Sequence, residues 1–198
     1  MNTTTRFFLA VLPLALFAAG CDKDPPAPEK GSGLSEQRLM LSEGYSMLYA
    51  DAAKIDLIDL LLYVKTETAE FDVVISKVSR YGGVLKQDLE RIARDYPGVR
   101  IDLKPLPEME TRKCHAIGKD KAILFAPFIG IGGREFERSV LISLSNGINH
   151  ESHLCKVMAG EEPDPGLKKF LLETEQHYQA LYTLVMRLLE REHFKPGS

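Results

Sequence analysis

The sequence predicts an all-α protein, a four-helix bundle with a long crossover between its second and third helices, set behind an export signal and a flexible linker. Three observations predict it. Apolar residues recur at alternating steps of three and four along four separate stretches, the spacing that gathers them on one helical face. Gly and Pro concentrate between those stretches. Nearly forty residues separate the second stretch from the third, whereas the connections within each pair are short.

Residues 1–20 have the layout of a signal peptide: Arg6 gives a positive start, "FFLAVLPLALFAA" is the apolar core, and Ala18, Ala19 and Gly20 precede Cys21. The apolar run of thirteen residues is too short to span a hydrocarbon layer of about 30 Å as a helix, so it is read as removable. "AAGC" resembles the lipobox of bacterial lipoproteins, with Ala at position 18 where Leu is the commoner residue. The resemblance implies that Cys21 is diacylated on sulfur and becomes the new N-terminus. Acyl chains that bury about 0.8 kcal/mol per methylene would anchor the chain without a transmembrane helix. It also implies a bacterial cell envelope location facing the periplasm. Asp22 resembles the residue that holds some lipoproteins in the inner membrane, a rule that varies between bacterial groups, so inner and outer membrane both stay open.

Residues 21–37 are read as the lipidated cysteine plus linker. "DKDPPAPEKGSG" mixes Pro, Gly and charge without a large apolar side chain, and its reach is on the order of 20 Å. Loss of residues 1–20 removes one cation, Arg6, and leaves 24 Lys and Arg against 28 Asp and Glu, a net charge of −4. That surface has no electrostatic footprint for nucleic acid and no basic helix for anionic lipid. Residues 38–194 are enough for one domain with a core.

The first helical stripe is Leu41, Tyr45, Leu48, Ala52, Ile55 and Leu62, and the second is Phe71, Val74, Val78, Tyr81, Leu85, Leu89, Ile92 and Tyr96. They are out of phase by about half a turn, which places a turn at Lys65–Glu70. A path through Leu57, Leu61, Val64, Thr68 and Phe71 stays in phase and leaves one long helix as the alternative. Pro97 and Gly98 end the second helix, and Gly82-Gly83 within it suits the close approach of a neighbour. The crossover is too long and too apolar for a bare loop, and "AILFAPFIGIGG" is expected to lie across the end or side of the bundle. The third helix starts near Arg134, with Phe136, Val140, Leu144, Gly147, Leu154 and Met158 on its face. The fourth starts at Pro165 or Gly166 behind Asp164 as cap, with Leu167, Phe170, Thr174, Tyr178, Leu181, Val185 and Leu188 as its stripe.

"KTETAEFDVVISKVSRYGGVLKQDLERIARDYPGV" is similar to the second-helix region of a family of exported bacterial ferritin-like proteins of unknown function, and "DPGLKKFLLET" to the start of their fourth helix. Where those relatives often carry an Asp-His pair, this chain has Tyr81-Gly82, which removes the main reason to carry over a metal site.

The third and fourth helices carry "NHESHLCK" and "LETEQHYQ", but neither supplies the Glu-x-x-His of a dinuclear carboxylate site. Glu151 and His177 nevertheless fall on the apolar stripes, at similar heights if the helices are antiparallel neighbours. Three readings stand: a buried pair hydrogen-bonded to each other, two solvent-exposed residues, or a mononuclear metal or redox site using His150, Glu151 and His177. Cys114 and Cys155 are the pair left after lipidation. An exported chain meets an oxidising compartment, so a disulfide closing a loop of about 40 residues, worth about 4 kcal/mol, is expected. Free thiols or a metal site at Cys114-His115 are the alternatives. Gly130-Ile131-Gly132-Gly133 lacks phosphate-loop spacing, and no Ser, His and acid arrangement stands out. The sequence therefore favours a non-catalytic module without cofactor that binds or scaffolds an envelope protein or a small ligand. Two other readings are a metal-binding or oxidoreductase protein, and an apolar-ligand carrier with "AILFAPFIGIGG" as lid.

Overall fold

Polar contacts from Arg38 and Tyr45, within the first three turns of the first described helix, to the buried Glu162 set the register of the helices. The computed structural model describes residues 36–63, 68–102, 106–124 and 130–194. The signal peptide, Cys21, most of the linker and residues 125–129 of the expected lid lie outside them. All described secondary structure is helical: α1 (Glu36–Asp56), a 3-10 segment (Ile58–Tyr63), α2 (Ala69–Asp95), α3 (Glu108–Leu124), α4 (Gly133–Glu161) and α5 (Pro165–Glu192). Helix α1 thus begins two residues before the expected boundary at residue 38.

Helices α1 and α2 form one antiparallel hairpin and α4 and α5 another; α1 packs on α4 and α2 on α5 to enclose a single core. Leu41, Tyr45, Leu48 and Ala52 of α1 are buried, as are Phe71, Val74, Val78, Leu85, Leu89 and Ile92 of α2. The stretch to Tyr96 is therefore two helices, not one. The α-helical part of the first stripe stops at Asp56 and Leu62 falls in the 3-10 segment. Asp164 caps α5, its Oδ1 accepting from the N–H groups of Gly166 at 2.8 Å and Leu167 at 2.9 Å. Gly133, at φ 55°, makes the left-handed step into α4 that an L side chain would resist.

The crossover contains a helix the apolar pattern did not announce. Met109, Ile117 and Ile123 of α3 are exposed and no described side chain of α3 enters the core, so no stripe marks it. Its support is local, with an Arg112–Glu108 pair at 2.5 Å and a Lys113–Glu110 pair at i,i+3. The start of the crossover is fixed to α1 by two serines. Ser42 Oγ accepts from Arg100 N–H at 3.2 Å, and Ser46 Oγ accepts from Asp102 N–H at 2.7 Å.

Gly82 and Gly83 do admit a neighbour. The end of α1 passes so close that a Cβ on Gly82 would fall 2.6 Å from the Asp56 nitrogen. Ser79 Oγ donates to the Asp56 carbonyl there at 2.7 Å, which satisfies one of the helix's last acceptors. Where α2 starts, the Glu137 carboxylate accepts from Thr68 N–H at 2.6 Å and lies 3.5 Å from His193 Nε2, linking the starts of α2 and α4 to the end of α5.

At the opposite end Glu162, in the α4–α5 turn, is buried and fully partnered. Arg38 donates to both its oxygens at 3.0 and 2.8 Å, the Tyr45 hydroxyl donates at 3.0 Å, and Asp164 N–H donates at 3.0 Å. Replacing Arg38 by Ala leaves a buried carboxylate without its counter-charge. Urea unfolding should show a loss of about 3–5 kcal/mol for Arg38→Ala and about 1 kcal/mol for Tyr45→Phe. Equal losses for the two variants would mean that the charge pair is not the dominant contact.

Candidate functional site

The α1–α4 interface carries a second buried acid, and here the partnering is incomplete. On α4 the residues Leu144, Ile148, Glu151, Cys155 and Met158 advance by four and three along the buried face, so Glu151 occupies a position the helix otherwise gives to apolar side chains. It is 6% exposed. The group facing it is Asp51 of α1, which sits one residue before the buried Ala52 and therefore on the flank of that helix's inward face. Asp51 also accepts from Lys54 at 2.6 Å, an i,i+3 pair.

Burial first, then the charge and hydrogen bond of Asp51, push the Glu151 pKa up to about 9, with Lys54 pulling it partly back. At neutral pH the Glu151 carboxyl keeps its proton and can donate it to Asp51. Its Oε2 is buried and has no hydrogen-bond partner among the described residues. An unmade bond of this kind costs about 1–3 kcal/mol. The Tyr178 hydroxyl on α5 is likewise buried and unpartnered. Its pKa is raised, by burial and then by Glu151, and burial also raises the Cys155 thiol.

The expected pairing of Glu151 with His177 does not form. Tyr178, one residue on, takes the inward position, and a step of 100° turns His177 to the surface. There the His177 ring stacks on Tyr81, centroids 5.2 Å apart, and its Nδ1 faces the Glu173 carbonyl at 2.9 Å. His150 is exposed on α4. Among the described residues no group of three or more His, Cys, Asp or Glu is arranged to hold a metal ion. Asp51, the actual neighbour of Glu151, was missed, since nothing in the local pattern separates it from other surface acids.

The expected disulfide is also not made: both cysteines are free, Cys155 buried and Cys114 exposed. Cys114 lines a hollow of about 610 Å³ beside Leu154, whereas Cys155, one residue further along α4, turns into the core.

Next to Glu151 a cleft of about 290 Å³ opens between α1, the 3-10 segment, α3 and α4. Its walls are mostly apolar, from Ile55, Ile58, Leu61, Val140, Leu144 and Ile148, and its polar groups include Asp51 and Glu151. Gly147 belongs to the α4 wall, and a Cβ built on it would meet nothing within 4 Å. The apolar stripe read from the sequence included Gly147, but that residue is exposed and Ile148 takes the buried position.

Two outcomes test the site. A carboxyl pKa raised by folding means that the folded chain holds a proton the unfolded chain releases above about 4.5. Its contribution is complete below about 4.5 and is lost progressively as pH rises toward about 9. Glu151→Gln keeps the neutral shape, so its unfolding free energy should lack this downward slope and exceed the parent's by roughly 1–3 kcal/mol near pH 9. Parallel pH profiles would show that Glu151 is ionised throughout. For the cysteines, peptide mapping after alkylation of the folded chain should find Cys114 modified and Cys155 protected until denaturant is added. Protection of both that yields to reductant alone would restore the disulfide.

The chain matches no protein-family model, no curated protein and no solved structure.

Proposed function

We propose that this chain is a lipid-anchored protein of a bacterial cell envelope whose helical domain acts as a non-catalytic binding module facing the periplasm. In this reading residues 1–20 are removed, Cys21 carries the lipid, and the linker holds the domain off the membrane. The bundle of α1, α2, α4 and α5, with α3 in the crossover, is read as the ferritin-like variant of the four-helix bundle.

The observation that carries a binding role is the apolar cleft with a buried, incompletely partnered carboxyl at its edge. Anchoring rests on the Cys21 lipobox, for among the described residues no helix is long and apolar enough to cross a membrane. The metal-binding or oxidoreductase reading has less support: Glu151 faces Asp51, whereas His177 points to solvent on another helix.

Mass spectrometry of the full chain produced in a Gram-negative host, with membrane fractionation, tests the proposal. The expected N-terminus is a diacylated Cys21 in the membrane fraction, and Cys21→Ala should move the protein to the soluble fraction. Unchanged membrane binding of that variant would overturn the anchor. Near-stoichiometric metal in the purified parent, lost in Glu151→Ala, would overturn the metal-free binding module.

A further inference from the structure

The cleft between α1, α3 and α4 has more definition than an apolar hollow. Its volume of about 290 Å³ is roughly twice the 150 Å³ or so that suffices to hold benzene in an engineered protein cavity. Its basic groups reach it from the solvent side, with Lys54 paired to Asp51 at 2.6 Å. Lys54 is mainly exposed and Lys121 and His150 are exposed, so the cations lie toward solvent. Glu151, 94% buried by its 6% exposure, presents an acceptor with no donor. Helix α4 also carries no side chain at Gly147, an exposed position on the cleft wall with open space in front of it.

We propose that this cleft binds a small amphiphilic amine, its apolar body against Ile55, Ile58, Leu144 and Ile148 and its ammonium hydrogen-bonded to the Glu151–Asp51 carboxyl pair. The ammonium supplies the donor that Glu151 Oε2 lacks. Asp51 already has Lys54 as counter-charge, so the incoming ammonium takes the place of the proton on Glu151, which is released to solvent on binding. A carboxylate head in the same place would set its own acceptors against two acids. The inference rests on the binding-module reading of the domain but not on the lipid anchor.

Phenethylamine is a suitable probe, with phenylethanol and phenylpropionate as controls of similar shape, each titrated into the purified full chain and followed by calorimetry. The amine is expected to bind, the alcohol about tenfold or more weakly and the anion not at all. Glu151→Gln should weaken the amine about tenfold or more and change the alcohol little. Gly147→Phe places a ring in open space and removes a helix-interior glycine, so it should keep or raise the melting temperature while abolishing binding of both. Equal affinity for amine and anion, amine binding unaffected by Glu151→Gln or by Gly147→Phe, or no binding of the amine would each overturn the assignment. Because Cys21→Ala leaves the cleft intact, loss of membrane attachment with retained amine binding separates failure of the anchor from failure of the cleft.

Discussion

The contact on which the arrangement depends is the Arg38–Glu162 pair. A buried carboxylate is tolerated only when its lone pairs are filled, and Glu162 achieves this with a fork from Arg38, a hydroxyl from Tyr45 and the N–H of Asp164. Those donors come from the first turns of α1 and from the α4–α5 connection, elements more than a hundred residues apart in sequence. Sliding α1 along α4 by one turn would strand the carboxylate, so one antiparallel register is selected over its neighbours. The rest of the interface inherits that register: Met158 packs over Gly44, and Asp51 arrives opposite Glu151.

The same interface shows why two buried acids, about three helical turns apart, behave differently. Glu162 meets a cation and two neutral donors and stays satisfied. Glu151 meets another acid, so the pair is tolerable only with a shared proton, and even then one oxygen is left bare. Stability alone would favour an apolar residue at position 151, matching Ile148 and Cys155 on either side. A polar group kept where packing disfavours it is the usual signature of a site with a chemical use. The neighbouring cleft points the same way, because Gly147 on its wall forgoes helix propensity.

What was legible in the sequence divides along a physical line. The buried faces of α1, α2, α4 and α5 were readable because core burial imposes a period on the residues themselves, and Asp164 because capping is local. Gly82 was readable as a close approach for the same reason: only a missing Cβ permits it. Long-range polar partners left no such trace. Arg38 and Glu162 look like ordinary surface residues until the helices are placed, Glu151 was recognised as inward-facing but matched with the wrong helix, and His177 was misplaced by one position on α5. Helix α3 escaped because it contributes nothing to the core, and the cysteine pairing failed because the sequence gives no side-chain direction to Cys155.

Helix α3 is the part of the cleft least bound to the rest. Its ion pairs are internal and its described side chains add nothing to the core, so its displacement breaks few buried contacts. The other walls belong to α1 and α4, whose separation would expose Glu151 and undo the apolar seam. Local opening follows the weakest cohesion. The α3 wall is therefore the one whose displacement costs least, while the carboxyl pair stays fixed by the two helices that Arg38 and Glu162 hold in register.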